Sequence, residues 1–348
     1  MHEIWYSIAV FMLTAYVVLD GFDFGAGALH MLVARNDTER RQVLAAIGPF
    51  WDGNEVWLLA AGGALFVGFP NVLSAGISGF YFAIFLVLWC LILRGIAIEF
   101  RSHVSDTVWR KTWDLAFGVA SVLLSVFFGA ALGNLIRGVP LTADGWFELT
   151  LFTDFTAKDP VGILDWYTVL VGVFALAALT GHGATYLVWK TDGPVRQRSL
   201  AAGKRAYAAA AILWVAVTLA TEAVNPDLLA ALPSRPLALS LAAVALAGLI
   251  AVFRGLSRGS DLVAFLGSCA FLAGLSAATA ACVFPVMLRA TPDVLLSLTA
   301  RNSGGDPAGL RTALGWFAVG FPLALLYFAV VFRLHRGKAV AAAEGEGY

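Results

Sequence analysis

The sequence predicts an all-α polytopic membrane protein. Of its 348 residues 60% are hydrophobic and only 13% charged, and the mean hydropathy is +0.81. An ordinary soluble domain is about 45–50% apolar and roughly 25% charged. A chain this apolar cannot clothe a globule in polar side chains, which excludes a soluble enzyme. The apolar residues also gather in runs of about 20, the length that crosses roughly 30 Å of hydrocarbon. No ten-residue alternation with turn signals is present, which argues against a membrane barrel.

Nine runs read as spans: Ile4–Leu32, Trp51–Phe69, Phe80–Phe100, Trp113–Ile136, Gly162–Trp189, Arg205–Val224, Pro236–Phe253, Leu262–Leu288 and Leu310–Leu334. The first is too long for the apolar core of a leader and opens on Met-His-Glu-Ile-Trp without Lys or Arg, so a cleaved signal peptide is not expected. The second follows Pro49, a good first-turn residue. Pro285 and Pro322 fall inside the last two runs and are expected to kink them. Trp5, Trp51, Trp57, Trp109, Trp113, Trp166, Trp189 and Trp316 lie mostly near run ends, as interfacial anchors do. Gly21, Gly25, Gly27, Gly53, Gly62 and Gly63 are expected to bring helix backbones together. Residues 1–337 read as one transmembrane domain, and Lys338–Tyr348, rich in Ala, Gly and Glu, as a disordered cytoplasmic tail.

Basic residues set the expected orientation. The loops after runs 1, 3, 5 and 7 and the C-terminal segment hold 16 Lys and Arg, the opposite loops 6, and Arg94 sits inside a run. The positive-inside rule then places the N-terminus outside and the C-terminus in the cytoplasm. The outer loop after run 4 is acidic, with Asp144, Glu148, Asp154 and Asp159. Lys+Arg and Asp+Glu balance at 23 each, so no basic excess points to nucleic acid.

The informative residues are charges placed where lipid should forbid them. Asp20 and Asp23 lie late in run 1, Asp52 and Glu55 open run 2, and Arg94, Glu99 and Arg101 lie late in run 3. A charge at mid-membrane costs about 2.5–3.5 kcal/mol on insertion scales. The seven should therefore face one another or water. One reading is structural: Arg94, Glu99 and Arg101 form a salt-bridge network. The other is a proton pathway. Five carboxylates face two arginines, and a carboxyl group in a low-dielectric site can be neutral and pass a proton. Asp52 and Asp23 are the favoured carriers, with Asp20 and Glu55 beside them; Asp52 could instead be an N-terminal cap or first-turn acid.

Cofactor ligands are scarce. Among five histidines only His182 lies well inside a run, and a haem needs an axial ligand in a buried pocket. Hydrogen-bonded structure is the plainer role for His182. Cys90, Cys269 and Cys282 have no CxxC spacing and read as small apolar residues, so no metal site is expected. Gly25-Ala26-Gly27 follows no strand, so it is not a dinucleotide fingerprint.

Several motifs resemble subunit II of the bacterial cytochrome bd-type quinol oxidases. They are Leu19-Asp20-Gly21-Phe22-Asp23-Phe24-Gly25, the stretch from Arg35 to Arg41, Gly48-Pro49-Phe50-Trp51-Asp52-Gly53-Asn54-Glu55-Val56-Trp57-Leu58, Ala61-Gly62-Gly63-Ala64-Leu65-Phe66, Phe117-Gly118, Gly133-Asn134-Leu135-Ile136-Arg137-Gly138-Val139-Pro140 and Gly183-Ala184-Thr185-Tyr186-Leu187. The likeness is dense over roughly the first 190 residues and beyond them is mostly hydropathy and spacing. The resemblance implies two four-helix bundles plus a peripheral helix in the bacterial cytoplasmic membrane. It implies a partner, subunit I, that carries haem b and haem d and binds quinol, while this chain binds no cofactor. The complex would reduce O₂ to water, and the acid of the Trp-Asp-Gly-Asn motif, here Asp52, would belong to its proton path. Small accessory subunits and membrane lipid are further partners of such a complex. A proton-coupled transporter is the competing reading, since it would use the same buried acids. It calls for inverted repeats and broken helices near the midplane; no repeat is visible and the acids lie toward one face. A scaffold whose charges only hold helices together is the third.

Overall fold

Short polar side chains mark where the helices begin. Asn36 accepts from Glu39 N, Asp106 from Trp109 N, and Asp306 from the amides of Ala308 and Gly309. Asp165 forms a full capping box with Thr168. Each satisfies amide donors that a helix start leaves open. In the computed structural model, which describes residues 1–291 and 293–340, these and other starts open twelve helices. They are α1 (His2–Val33), α2 (Asp37–Ile47), α3 (Trp51–Gly68), α4 (Pro70–Gly79), α5 (Tyr81–Phe100), α6 (Thr107–Arg137), α7 (Trp166–Lys190), α8 (Gly193–Val224), α9 (Pro226–Ser234), α10 (Pro236–Arg258), α11 (Asp261–Val283) and α12 (Pro307–Leu334). Two short antiparallel strands, β1 (Val286–Leu288) and β2 (Leu298–Thr299), interrupt the helical pattern.

Among the described residues, eight helices are long and apolar enough to cross a membrane: α1, α5, α6, α7, α8, α10, α11 and α12. The chain is thus an all-α polytopic membrane protein. The second expected span is α3, which falls outside the eight because Asp52, Asn54 and Glu55 crowd its first turns. Several expected boundaries move. α6 starts at Thr107 rather than Trp113, α8 at Gly193 rather than Arg205, and α7 at Trp166 rather than Gly162. α11 stops at Val283, so Pro285 follows a helix end and does not kink a span, whereas Pro322 does lie within α12.

α1 is the hub, packed against α3, α6, α7 and α11. α5 lies on α6, α8 on α7, and α10 on α11. This gives one group of α1, α3, α5 and α6 and a second of α7, α8, α10 and α11. α12 stands to the side: it touches α3, and none of its most apolar window is buried. The α1–α7 contact is made by backbone. A Cβ at Gly25 would collide with the Leu179 carbonyl, and one at Gly183 with the backbone of Gly25. Gly62 and Gly63, by contrast, face open space and bring no helices together. Trp5 and Trp57 are buried against other helices, and the Trp5 indole donates to Leu310 O at 3.2 Å.

Ion pairs lace one end of the bundle. Arg101 bridges Asp37 (2.8 Å) and Asp114 (2.6 Å), Arg198 reaches Glu39 (2.5 Å), and Arg196 pairs with Asp261 (2.7 Å). The C-terminal segment joins this end: Lys190 Nζ donates to His335 O at 2.6 Å, and Lys338 Nζ to Thr191 O at 3.1 Å. Of the tail expected from Lys338 onward, residues 341–348 lie outside the described residues. At the other end Arg137 pairs with Asp165 and donates to Gly162 O at 2.9 Å, joining α6 to the cap of α7.

Candidate functional site: a buried carboxylate cluster

Three helices bring the site together. On α1, Asp20 and Asp23 are three residues apart and so share a face; both are fully buried. α3 supplies Asn54, also fully buried, and Glu55, whose side chain is 24% exposed. α5 supplies Arg94, fully buried at the cluster's centre.

Arg94 grips Asp20 with both guanidinium nitrogens, Nη1 to Oδ1 at 2.5 Å and Nη2 to Oδ2 at 3.1 Å. This is the bidentate fork in which guanidinium and carboxylate match. Nη2 also donates to Glu55 Oε2 at 3.3 Å, and the guanidinium carbon lies 4.6 Å from the Phe24 ring centroid. Asp23 is served differently. Asn54 Nδ2 donates to Asp23 Oδ2 at 2.8 Å and to Leu19 O at 3.2 Å, while Asp23 Oδ1 has no hydrogen-bond partner among the described residues. One guanidinium therefore stands among three carboxyl groups, so charge pairing with Arg94 alone leaves the cluster's acids in excess.

The seven charges expected to meet do not form one cluster. Arg101 belongs to a second network, where Asp114 accepts from Arg101, from His30 Nε2 at 2.6 Å and from Arg40 at 2.8 Å. Arg110 reaches Asp37 at 3.0 Å in the same network. Glu99 is half-buried on α5, and its carbonyl accepts from His103 Nδ1 at 2.8 Å. Arg94 takes Asp20 and Glu55, not Asp23 or Glu99, as its ion-pair partners. Asp52 lies in the first turn of α3 and is exposed; Phe50, not Asp52, holds the cap position. Asp52 is thus outside the buried cluster, one turn from Glu55 on the same helix face.

Sequence reasoning missed Asn54 as a partner of Asp23 and missed the Asp114 hub. Asn54 is neutral, so the search for intramembrane charge passed over it. Asp114 lay at the edge of an expected span; the Asp106 cap was the signal that places it a full two turns inside α6.

Both buried histidines, His30 and His182, have hydrogen-bond partners within the chain. His182 is fully buried, but Nδ1 faces Ser268 Oγ at 2.7 Å and Nε2 faces Val18 O at 2.8 Å, so both ring nitrogens have protein partners. His30 is engaged by Asp114. Among the described residues no group of three or more His, Cys, Asp or Glu is placed to hold a metal ion. Cys90 and Cys282 are buried and Cys269 partly so.

Long apolar helices around a buried arginine–carboxylate cluster define a polytopic membrane protein with an ionisable interior. The family described as cytochrome bd terminal oxidase subunit II matches residues 1–335, and the chain belongs to that family. It is 39% identical over 198 residues to cytochrome bd-I ubiquinol oxidase subunit 2 of Escherichia coli (strain K12), covering 57% of this chain and 51% of the relative. It is 33% identical over 217 residues to cytochrome bd ubiquinol oxidase subunit 2 of Bacillus subtilis (strain 168), covering 62% and 61%. The matched part spans about half the length of the first of these relatives. A bd oxidase from Geobacillus thermodenitrificans shares the fold, with a TM-score of 0.73 at 16% identity over 96% of this chain and 98% of that one.

Proposed function

We propose that this chain is the haem-free subunit of a two-subunit quinol oxidase in a bacterial cytoplasmic membrane. It pairs with a subunit I that carries haem b and haem d and oxidises quinol. Its own part is assembly and the supply of protons from the cytoplasm for reduction of O₂ to water. Family membership supports the identity of the complex. The observation that carries the proton role is the excess of buried carboxyl groups over the single Arg94 guanidinium. In this reading the end laced with ion pairs faces the cytoplasm. Asp52, exposed at that end, receives a proton; Glu55 passes it inward; Asp23 holds it beside the Arg94–Asp20 pair. Arg94 fixes Asp20 and keeps Glu55 turned inward, and Asn54 orients the Asp23 carboxyl group. The haem iron of the partner supplies the oxygen chemistry, and no residue of this chain takes part in that step.

The test is the natively purified complex. Its visible spectrum should show haem bands travelling with this chain, a result that a proton-coupled transporter would not give. Asp52→Asn and Asp23→Asn keep shape and hydrogen bonding but remove the titratable proton. Each should preserve haem content while slowing quinol-driven O₂ consumption by an order of magnitude or more, within the roughly 10²–10⁴ ceiling for losing a proton-transfer group. Wild-type turnover in both variants would sink the relay and leave a scaffold.

A further inference from the structure

We propose that His182 is a positioning residue: from α7 it holds the Val18 carbonyl of α1 and so sets the rotation at which α1 presents Asp20 and Asp23. This rests on the proton-supply reading for its purpose, but not for its geometry. His182 is fully buried, and its two nitrogens reach two different helices. Nε2 lies 2.8 Å from Val18 O on α1, and Nδ1 lies 2.7 Å from Ser268 Oγ on α11. A carbonyl only accepts, so Nε2 carries the proton. The Ser268 hydroxyl has a second acceptor in Phe265 O at 2.6 Å. Whichever of the two it serves, the bond from Nε2 to Val18 O stands. The ring is stacked on Phe265, at 5.5 Å and 13°, and set edge-on to Phe22 at 6.1 Å, which fixes its plane.

Three successive residues of α1 are each gripped by a different helix. Val18 O takes His182 of α7, Leu19 O takes Asn54 Nδ2 of α3 at 3.2 Å, and the Asp20 carboxylate takes Arg94 of α5 at 2.5 Å. Successive residues lie about 100° apart around a helix, so the three grips act from different sides and together oppose rotation. Packing alone does not oppose it on the α7 side, where α1 presents glycine. A Cβ at Gly21 would meet Leu179 Cδ2 at 2.9 Å and His182 Cδ2 at 3.6 Å, and one at Gly25 would collide with Leu179 O. Glycines let two backbones approach closely, but with no side chain to lodge in a groove they set distance rather than angle. The His182 hydrogen bond supplies the angle.

A small rotation is enough to matter. Side chains reach about 5–6 Å from a helix axis, so a turn of about 20° carries a carboxyl group about 2 Å. Hydrogen bonds tolerate far less than that. Such a turn would open both the Asn54–Asp23 bond and the Arg94–Asp20 fork. His182 itself passes no proton in this role. Its nitrogens face a carbonyl and a hydroxyl, not a carboxylate, and a neutral ring makes both bonds.

The experiment compares His182→Gln and His182→Leu in the whole complex. A glutamine amide both donates and accepts, so it can hold Val18 O and Ser268; leucine fills the space and holds neither. Leucine strands no polar group, because Val18 O keeps its place in the helical ladder of α1 and Ser268 keeps Phe265 O. His182→Leu should therefore assemble with full haem content, yet consume O₂ several-fold more slowly per haem, up to the roughly 10²-fold that misplacement costs. His182→Gln should recover most of the rate. The second readout is the infrared band of the Asp23 carboxyl group, identified by its loss in Asp23→Asn. It should shift in His182→Leu and return in His182→Gln. An unmoved band, equal slowing in both variants, loss of assembly in His182→Leu, or a wild-type rate in His182→Leu while Asp23→Asn is slow, overturns the positioning role. A shifted band together with wild-type turnover in Asp23→Asn would keep it and remove the proton-supply reading instead.

Discussion

Arg94 is shared by Asp20 and Glu55, and its removal leaves both without a cation. Breaking a buried pair by deleting one partner costs about 3–5 kcal/mol, because the remaining charge stays buried. Arg94→Ala should therefore lower the yield and thermal midpoint of the purified complex sharply. Arg94→Lys keeps the charge but loses the two-pronged fork, and should fall between. An Arg94→Ala complex with wild-type yield and midpoint would mean that the cluster is not held by this residue. That Arg94 needs a carboxylate was legible in the sequence, since intramembrane charge is costly. Which carboxylate was not. Spacing along one helix says which face a residue occupies, not which neighbouring helix that face meets. Hence Glu55 rather than Glu99 is its second partner, and Asp52, though it belongs to the most specific motif, is at the surface.

α2 shows how an element too short to span the membrane is fixed at its edge. Its helix is capped by Asn36, and it buries Val43, Leu44, Ala46 and Ile47. Glu39, in its first turn, accepts from Arg35 N at 2.7 Å and from Arg198 at 2.5 Å, linking α2 to α8. Burial opposes the Glu39 carboxylate, but the Arg35 amide and the Arg198 guanidinium outweigh it and hold its pKa below the usual range. A carboxylate so depressed adds stability above its unfolded pKa of about 4.3 and loses it as pH falls through the lower folded value. The thermal midpoint of Glu39→Gln should lie below wild type near neutrality, and the gap should close on acidification below about pH 4. A gap that widens in acid would refute the assignment. The spans themselves were readable from apolar runs, but their ends were not. α6 and α8 continue as helices through polar residues such as Arg110, Arg198 and Lys204, because backbone hydrogen bonding does not require apolar side chains. The reverse error occurred after Val283, where the apolar residues of β1 prolonged a run that was no longer helix. α2, α4 and α9 carry no run of spanning length and left only proline and cap signals.

At the scale of the whole molecule, charge asymmetry acquires a geometric meaning. The 16 basic residues counted by loop fall in segments that the ion pairs bring to one end. Arg101–Asp37 joins the end of α5 to α2, Arg198–Glu39 joins α2 to α8, Arg196–Asp261 joins α8 to α11, and Lys338–Asp261 adds the C-terminal segment. Several of these cations are thus already neutralised within the chain. The rule for orientation counts Lys and Arg rather than net charge, however, and it acts while the loops are being inserted. The neutralisation does not weaken the expectation that this end stays in the cytoplasm. A reporter fused after Asp192 should be active only as a cytoplasmic enzyme, and one fused in the acidic loop near Asp154 only as an exported one. The proton role depends on this result, because Asp52 and Glu55 open toward the end that carries the basic loops. If the two reporters give the reverse pattern, the buried acids would draw protons from outside the cell, and supply from the cytoplasm would have to be abandoned even with the cluster geometry intact.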